Sequence, residues 1–449
     1  MRRSVKYLIQ DFLIFFLIIL QNIIFFYVWC YYQPNTMMRN SEKNWIILLT
    51  YTILLTIFSK TFGNYKIGHK RLMDIIFGQF STILFSNLIV YLQLCIIDNW
   101  PYYYSIKIIT FISIFQFGVM ILASILLQLI YFVMTPIEDA IFITGNDKSL
   151  EKDLQENNID KRFIIKEIIR TNLGEKEILE KIQNYKIVII DDIQPPILRN
   201  NILKYCFEHD IKMYTKPKVV DIIVRSGNVT KLCYNSMMTW NARRMTFEQK
   251  IIKRCFDIVV SLLSLIILSP LFFLIAIIIK LTDNGPIFFK QERYTKDEKI
   301  FTIYKFRSMY VQKEKKIQMT TKNDTRITPI GHILRKTHFD EFPQLINILK
   351  GDMSIVGPRP EMIELYDMYA TKYPEFRYRS KVKAGLTGYA QVYGKYNTNP
   401  QDKLKFDLIY IANFSLLLDL KLILLTVKVM FKEKTSEGID DNKTTSLID

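Results

Sequence analysis

The sequence predicts a membrane protein in three parts: an amino-terminal α-helical bundle of four spans, an α/β cytosolic domain, and a carboxy-terminal domain that begins with another apolar run. Of the 449 residues 50% are hydrophobic, and the long apolar runs lie before residue 135 and between residues 256 and 280. The segment between these runs is mixed and charged, as in a soluble domain. With 15 Gly and 14 Pro, the chain belongs to neither the collagen-like nor the disordered class.

The net charge of +17 suits a protein that binds anionic lipid headgroups or phosphorylated ligands, and it would equally suit a nucleic-acid-binding protein. The cysteines are scattered and never occur in Cys-x-x-Cys spacing. They therefore predict neither a zinc site nor a disulfide framework, and we expect reduced thiols. They are Cys30, Cys95, Cys206, Cys233 and Cys255.

Four segments within residues 1–135 are candidates to cross a bilayer, which takes roughly 20 mostly apolar residues. They are Tyr7–Tyr32, Trp45–Phe58, Leu72–Ile97 and Tyr102–Met134, of which the second is short. Basic residues in short loops set the orientation. Arg2, Arg3, Lys6, Lys60, Lys66, Lys70 and Arg71 lie on one side, against Arg39, Lys43 and Lys107 on the other. The first side is predicted to be cytosolic, so the four spans return the chain to the cytosol near Pro136, and the part from Glu138 onward begins inside.

Residues 139–245 predict a Rossmann-like α/β domain. Ala140–Thr144, Phe163–Ile165 and Lys186–Ile190 are typical of short buried strands, and Pro196–Glu208 is helical in pattern. The loop after the first strand, Thr144-Gly145-Asn146-Asp147, lacks the Gly-x-Gly-x-x-Gly sequence that lets backbone amides approach a pyrophosphate. A bound dinucleotide is therefore disfavoured here.

The next apolar run, Phe256–Ile279, is interrupted by Ser269-Pro270. Proline inside a helix removes a backbone hydrogen bond and clashes with the preceding turn, so a bend is expected. Basic residues flank both ends. The run could be a fifth span with a kink, or a re-entrant hairpin whose two ends lie on the same face of the membrane. The flanks alone do not decide between them.

Residues 281–410 contain the candidate chemistry. Pro343 and Gly351 predict the first turn and the end of a short helix, which would place Asp340 at or next to its N-cap. A carboxylate there suits either a cap or a nucleophile. Adjacent helical residues diverge by about 100°, so Asp340 and Glu341 cannot act on one atom in the same way.

Cations occur in the neighbouring motifs, and arginine's planar fork matches phosphate oxygens. They are Lys305, Arg307, Arg335 and Arg359. A carboxylate nucleophile, a divalent cation and several arginines would suffice to cleave a diphosphate. Nucleic acid is not expected as a partner, because the basic residues show no recognised nucleic-acid module and such a role gives no reason for the membrane segments.

Several motifs follow one another in residues 250–430. They are Arg254-x-Phe256-Asp257, Ser269-Pro270, Gly285-Pro286, Gln291-x-Arg293, Lys305-Phe306-Arg307-Ser308-Met309, Asp340-Glu341-x-Pro343-Gln344, Gly351-Asp352-Met353-Ser354, Gly357-Pro358-Arg359-Pro360 and Gly385-x-Thr387-Gly388-x-Ala390-Gln391. In these motifs the chain resembles the bacterial sugar transferases, the polyprenyl-phosphate hexose-1-phosphate transferases or monotopic phosphoglycosyl transferases. The whole chain is similar to the long-form members of capsule and exopolysaccharide synthesis.

The resemblance implies transfer of sugar 1-phosphate from a UDP-sugar donor to undecaprenyl phosphate, giving undecaprenyl diphosphate sugar and UMP, as the first step of capsular or exopolysaccharide repeat-unit assembly. Asp340 would attack the β-phosphorus and form a phosphosugar-aspartyl intermediate, with Glu341 and Asp340 holding the cofactor Mg²⁺. Lys305, Arg335 and Arg359 would bind phosphates, and Asp407 would be a further acidic residue of the site. UDP-glucose or UDP-galactose is the expected donor, although no side chain decides the sugar.

The resemblance also implies an α/β monotopic catalytic domain, residues 250–432, anchored by a re-entrant helix hairpin, residues 256–280, bent at Ser269 and Pro270. This arrangement places the catalytic domain on the cytosolic face of the bacterial inner membrane, in contact with membrane lipids. Residues 433–449 are expected to be a flexible tail. An apolar helix, Phe414–Phe431, either lies on the membrane surface or packs on the domain.

The sequence departs from the family pattern at Tyr294-Thr295, at His338 and at Ala384. These departures affect loop geometry and sugar preference and remove no charge from the mechanism; His338 is expected to be a loop histidine rather than a general base. The alternative function is a catalytically silent membrane partner that recruits or regulates a polysaccharide assembly complex. Whether the protein forms a homo-oligomer is left open.

Overall fold

A computed structural model of the chain describes residues 3–32, 43–64, 66–97, 102–135, 137–145, 163–191, 193, 195–232, 235–240, 245–283, 285–310, 324–394 and 398–430. The predicted tail, residues 433–449, and the loop residues Asn146 and Asp147 lie outside the described residues. The chain divides into two compact units, Met1–Lys216 and Pro217–Asp449.

Long apolar helices form the first part of the amino-terminal unit, as the sequence predicts. They are α1 (Arg3–Tyr32), α2 (Lys43–Phe62), α3 (Leu72–Ile97) and α4 (Tyr102–Met134). Each contains at least 18 consecutive residues that are apolar enough to cross a membrane. Because α2 has 20 residues, it is longer than the predicted segment Trp45–Phe58 and reaches spanning length. The number of helices that cross the bilayer and their orientation stay predictions.

The interior of this bundle combines apolar packing with hydrogen bonds between helices. The ring of Phe25 stacks on that of Tyr51 with the centroids 4.0 Å apart. The side-chain amide of Gln116 donates to the Tyr51 hydroxyl at 2.8 Å and accepts from the amide of Asn87 at 3.0 Å. Polar side chains of this kind join helices where lipid supplies no hydrophobic driving force.

The predicted α/β domain is confirmed in the rest of this unit. Its elements are β1 (Glu138–Thr144), β2 (Phe163–Arg170), α5 (Glu175–Ile182), β3 (Ile187–Ile190), α6 (Pro196–Glu208) and β4 (Lys212–Thr215). The strands form a parallel sheet in the order β2-β1-β3-β4. The two central strands, β1 and β3, are almost continuously buried, as expected of a parallel sheet covered on both faces. Helix α6 starts with Pro196 in its first turn.

The second unit begins with α7 (Val219–Arg225) and an antiparallel hairpin of β5 (Asn228–Leu232) and β6 (Asn235–Thr239). Ile222 of α7 packs in a buried cluster with Tyr366, Tyr369 and Phe376. This packing explains why the compact unit starts at Pro217, whereas the sequence assigned residues up to 245 to the preceding domain.

Helix α8 (Phe247–Asp283) is continuous through Ser269 and Pro270. Proline has no backbone N–H, so the carbonyl four residues earlier, that of Ile266, loses its helical donor. The Ser269 hydroxyl donates to this same carbonyl at 2.8 Å. The Ser-Pro pair thus interrupts the helical bonding without leaving a carbonyl unsatisfied among apolar side chains.

The remaining elements build a compact α/β domain. They are β7 (Phe288–Tyr294), β8 (Ile300–Phe306), α9 (Pro329–Lys336), α10 (Gln344–Lys350), β9 (Ser354–Val356), α11 (Ile363–Lys372), β10 (Gly385–Thr387), α12 (Tyr389–Tyr393), α13 (Pro400–Ala412) and α14 (Leu416–Met430). Strands β7 and β8 are antiparallel, and β9 and β10 are parallel. Helix α14 packs on the domain, with Asp419 and Leu422 fully buried, which is one of the two alternatives predicted for it.

Both halves of α8 contact this same domain. Before the Ser-Pro pair, Phe256 and Val260 pack on the core that contains Ile348 and Val356. After it, Ile275 and Ile279 pack in a cluster with Phe306 and Leu334. The side chains nearest the pair are exposed and apolar, including Leu263 (54%), Ile267 (74%) and Phe273 (71%).

Candidate active site

The dyad Asp340-Glu341 lies in a tight turn between two helices. Helix α9 ends after Lys336, and His338 adopts a left-handed conformation with φ 56°. The His338 amide donates to the Arg335 carbonyl, and its own carbonyl accepts from the Glu341 amide, both at 3.2 Å. One residue therefore ends the helix that contains Arg335 and starts the 3₁₀ turn, Phe339–Glu341, that contains the dyad.

The expectation that Asp340 lies at or next to the N-cap of the following helix is wrong. Helix α10 begins at Gln344, its N-cap is Pro343, and no side chain caps it. The 3₁₀ turn separates Asp340 from that helix. The other end is as predicted, since Gly351 adopts φ 95° and ends the helix in the left-handed conformation that glycine favours.

Glu341 is buried, with 8% of its surface exposed, and it is held between two cations. Lys305, at the end of β8, donates to Oε1 at 2.7 Å. Arg359, beyond β9, forms a fork, with Nη1 2.9 Å from Oε2 and Nη2 2.5 Å from Oε1. Burial alone would raise the pKa of Glu341, but the charges of Arg359 and Lys305 hold it well below the usual range. Glu341 is therefore ionised.

Asp340 differs from its neighbour in hydrogen bonding, in exposure and in the direction of its pKa shift. Its carboxyl is partly buried and receives no hydrogen bond from the residues that the structure describes. Burial and the negative charge of Glu341 raise the pKa of Asp340 to about 6, although Lys305, Arg335 and Arg359 act in the opposite direction. The dyad thus contains one charge-paired carboxylate and one whose oxygens are available to a ligand.

Arg335 and Arg307 lie in neighbouring segments. Arg335 belongs to the last turn of α9, and its Nε donates to the Ser308 hydroxyl at 2.8 Å. Arg307 directly follows β8; it is 8% exposed, and its backbone amide donates to the Ile287 carbonyl at 3.0 Å. Ser308 was not singled out from the sequence, although it stands inside the motif that contains Lys305 and Arg307.

Asp407 belongs to a buried ion-pair cluster behind Arg359. It is 1% exposed and lies 2.9 Å from Nη2 of Arg379, which also donates to the Arg359 carbonyl at 2.8 Å. Burial raises the pKa of Asp407 to about 6, against the opposing charge of Arg379. The carboxylate of Glu361 lies 3.4 Å from Lys403 and 3.9 Å from Arg379. Sequence reasoning missed Arg379 and Glu361, because neither stands in a recognisable motif.

No cluster of three or more His, Cys, Asp or Glu side chains suited to a metal is found in the described residues. The dyad itself offers the unpaired Asp340 carboxylate and one remaining lone pair on Oε2 of Glu341, because two of its four accepting positions face Arg359 and one faces Lys305. Mg²⁺ is commonly bound by one or two carboxylates, with substrate phosphates and water as the other ligands. The dyad fits such a partial site.

An α/β domain that packs on a long apolar helix, with an unpaired carboxylate among cations, defines a membrane-associated protein with a charged candidate site. A family model described as Bacterial sugar transferase matches residues 248–433. Exopolysaccharide production protein PSS of Rhizobium leguminosarum bv. phaseoli is 41% identical over 189 residues, which cover 39% of this chain and 94% of that protein. The chain therefore belongs to the bacterial sugar transferase family.

Longer relatives match over the same part of the chain. UDP-glucose:undecaprenyl-phosphate glucose-1-phosphate transferase of Klebsiella pneumoniae is 43% identical over 192 residues, which cover 41% of this chain and 41% of that protein. UDP-N-acetylgalactosamine-undecaprenyl-phosphate N-acetylgalactosaminephosphotransferase of Aeromonas hydrophila is 40% identical over 183 residues, 40% of this chain and 43% of that protein. The matched part thus spans less than half the length of either relative.

Proposed function

We propose that this protein transfers sugar 1-phosphate from a UDP-sugar to undecaprenyl phosphate, giving undecaprenyl diphosphate sugar and UMP. The observation that carries the proposal is the unpaired carboxylate of Asp340, which lies within the electrostatic influence of Lys305, Arg335 and Arg359. The names of the Klebsiella and Aeromonas relatives support both the donor class and the lipid acceptor. In this role the protein catalyses the first step of capsular or exopolysaccharide repeat-unit assembly.

In the first step, an oxygen of Asp340 attacks the β-phosphorus of the donor. The bond between that phosphorus and the bridging oxygen breaks, and UMP departs with the oxygen and its electron pair. A phosphosugar-aspartyl intermediate remains. A carboxylate with a pKa of about 6 is mostly ionised at neutral pH, as attack requires. Arg335 and Arg359 neutralise charge on the phosphoryl oxygens, which is the main need of phosphoryl transfer.

In the second step, a phosphate oxygen of undecaprenyl phosphate attacks the same phosphorus. The bond to Asp340 breaks, the carboxylate is regenerated, and the lipid diphosphate sugar leaves. Glu341 stays ion-paired and holds Lys305 and Arg359 towards the phosphates during both steps. When Mg²⁺ is bound by Asp340 and Glu341, it supplies further neutralisation of diphosphate charge. The cluster of Asp407 and Arg379 supports Arg359 from behind through the Arg359 carbonyl.

We place the catalytic domain on the cytosolic face of a bacterial inner membrane, with α8 as a re-entrant hairpin. The packing of both halves of α8 on one domain supports this course, because only one end of a straight span would reach a domain at the surface. The exposed apolar side chains around Ser269 and Pro270 then lie at the apex, within lipid. This course keeps the dyad where UDP-sugars are made.

The test measures UMP release by the full-length protein in nanodiscs with undecaprenyl phosphate, Mg²⁺ and a panel of UDP-hexoses and UDP-N-acetylhexosamines. We expect release with UDP-glucose or UDP-galactose, and none from Asp340→Asn. Glu364→Gln, which changes an exposed carboxylate of α11, is the matched control and keeps wild-type activity. With donor alone, the mass of the peptide that contains Asp340 increases by one hexose phosphate.

Two results would separate the alternatives. UMP release from Asp340→Asn would exclude the aspartyl intermediate while leaving the transferase function in place. No UMP from any donor in the panel, with protein that is folded by its thermal unfolding transition, would favour the catalytically silent membrane partner.

A further inference from the structure

The first half of α8 has a polar stripe on an otherwise apolar helix. Lys253, Asp257 and Ser261 are spaced four residues apart and therefore lie on one face. All three are buried, with exposed fractions of 8%, 3% and 0%. Charged side chains in a membrane-associated helix are costly to bury unless they have partners, and their partners indicate what they do.

The two charged residues of this stripe, Lys253 and Asp257, bind consecutive residues of strand β9. Oδ1 of Asp257 accepts from the Ser354 hydroxyl and from the Ile355 amide, both at 3.1 Å. The Lys253 ammonium donates to the Val356 carbonyl at 3.2 Å and forms an ion pair of 2.6 Å with Asp419 of α14. Lys253 and Asp257, in two successive turns of α8, therefore bind all three residues of the strand, Ser354–Val356.

Strand β9 runs directly into the loop that contains Arg359. The Gly357 amide donates to the Thr387 carbonyl at 2.8 Å. A Cβ at Gly357 would lie 2.4 Å from the Lys383 carbonyl oxygen. The backbone at Gly357 is therefore packed closely against the backbone at Lys383. Arg359 follows two residues later and forms the fork with Glu341. A displacement of β9 is therefore transmitted to the guanidinium of Arg359.

We infer that Asp257 and Lys253 are positioning residues, which couple the placement of the membrane helix to the position of Arg359 in the active site. Neither touches the dyad. The membrane-embedded helix thus contributes to turnover through β9, as well as anchoring the domain. This inference rests on the proposed transferase function, because its effect on turnover is exerted through the phosphate-binding arginine.

The test combines variants of Asp257 with Arg359→Lys. Asp257→Ala removes the acceptor of both bonds, whereas Asp257→Asn keeps an oxygen in the place of Oδ1. We expect Asp257→Ala to lower kcat on the order of 10- to 100-fold, as displacement of a positioned group does, and Asp257→Asn to restore most of it. Ser354→Ala removes one of the two donors and is expected to give a smaller loss. Cys255→Ala, an exposed residue of the same helix, is the control.

The decisive measurement is the double-mutant cycle. If Asp257 acts through Arg359, then Asp257→Ala and Ser354→Ala cause little further loss in the Arg359→Lys background. Losses that multiply, or an Asp257→Ala variant that matches Cys255→Ala, would overturn the inference. Where Asp257→Ala does not fold, the cycle with Ser354→Ala decides.

Hydrogen exchange distinguishes this inference from the proposed function. Exchange of the peptide covering residues 354–360 is expected to rise in Asp257→Ala and to remain near the wild-type rate in Asp257→Asn. This readout requires no turnover. Unchanged exchange in Asp257→Ala would overturn the positioning role, whereas absent UMP release from the wild type would contradict the transferase function alone.

Discussion

Arg359 and Glu341 form a forked ion pair in which two guanidinium nitrogens face the two carboxylate oxygens, at 2.9 and 2.5 Å. Lys305 approaches the same carboxylate, so one buried acid fixes two cations, one at the end of β8 and one in the loop after β9. Because Glu341 is committed to these cations, its neighbour Asp340 is the member of the dyad that remains available. The fork therefore gives the two adjacent carboxylates different roles: Glu341 binds the cations, and Asp340 is available to a ligand.

Arg359→Lys is expected to lower kcat by about 10- to 100-fold, because a lysine ammonium cannot form the fork or neutralise phosphate oxygens in the same plane. KM for the donor should change less, since the charge is retained. The measurement is steady-state UMP release. Arg377→Lys is the control, because Arg377 is 58% exposed and pairs with Glu298 at 3.0 Å near the surface. Equal losses in the two variants would show that the fork has no special role.

The motifs in the sequence predicted the cations and the dyad, but only the fold shows which of them meet. Lys305 and Arg359 were chosen as phosphate ligands, and in the structure both also contact Glu341. The position of Asp340 was misjudged because His338 takes a left-handed conformation, which a pattern of helix formers does not reveal. The buried Arg379 gave no signal, because its partner Asp407 is distant in sequence and the contact depends on tertiary packing.

The sequence predicted the individual helices and strands better than it predicted their division into compact units. The helical pattern of Pro196–Glu208 predicted α6, and the buried run Lys186–Ile190 predicted the central strand β3, which the structure places at Ile187–Ile190. By contrast, α7 lies within residues 139–245, which the sequence grouped with the preceding strands. Its buried residue Ile222 packs against Tyr366 and Phe376, and such long-range contacts are not encoded in a local pattern.

The buried cluster around Asp407 predicts a specific dependence of stability on pH. Burial raises the pKa of Asp407 to about 6, above the value of about 3.9 for a free aspartate. The folded state therefore holds the proton more tightly than the unfolded state, and this carboxyl favours folding below pH 4 and loses that contribution as the pH rises through 6. Asp407→Asn removes this titration and keeps an oxygen that can face Arg379.

We compare the change in unfolding temperature on going from pH 5 to pH 7. This change is expected to be more favourable to the folded state in Asp407→Asn than in the wild type. The neighbouring Glu361 remains charged throughout this range, since burial would raise its pKa but the charges of Lys403 and Arg379 hold the pKa below its usual value. Thermal unfolding in detergent at both pH values gives the answer. A pH difference identical in the wild type, Asp407→Asn and the surface variant Glu364→Gln would contradict the raised pKa.

His338 predicts a ranking of substitutions that depends on backbone conformation. At φ 56° a glycine or asparagine is tolerated, whereas a β-branched side chain is strained by roughly 1 to 2 kcal/mol. We expect His338→Gly and His338→Asn to retain activity and His338→Val to lose both stability and kcat, because the turn orients the dyad. His332→Val, an exposed position within α9, is the matched control. Full activity of His338→Val would show that the left-handed turn is not needed, whereas complete loss in His338→Gly would show that the imidazole itself matters.

The Ser269-Pro270 pair predicts the course of α8 in the membrane. The helix has 37 residues, so a straight helix would be about 55 Å long, more than enough to cross a bilayer. In Pro270→Leu the backbone amide can donate to the Ile266 carbonyl, which the Ser269 hydroxyl satisfies in the wild type. The proposed bend then loses its cause, and we expect a fraction of the molecules to cross the membrane and place an epitope tag after Asp449 outside. Lys280 and the basic residues beyond it oppose this translocation, so the fraction stays below one.

Antibody access to the tag in intact and lysed spheroplasts measures this fraction. The wild-type tag should be reached only after lysis, and Leu274→Ala, a change at an exposed position of the same helix, should behave in the same way. Molecules of Pro270→Leu with an external tag would also lack UMP release, because their dyad faces away from the UDP-sugar. A wild-type tag that is accessible in intact spheroplasts would mean that α8 is a fifth span, and that the second half of the helix cannot contact Phe306 from the cytosolic side.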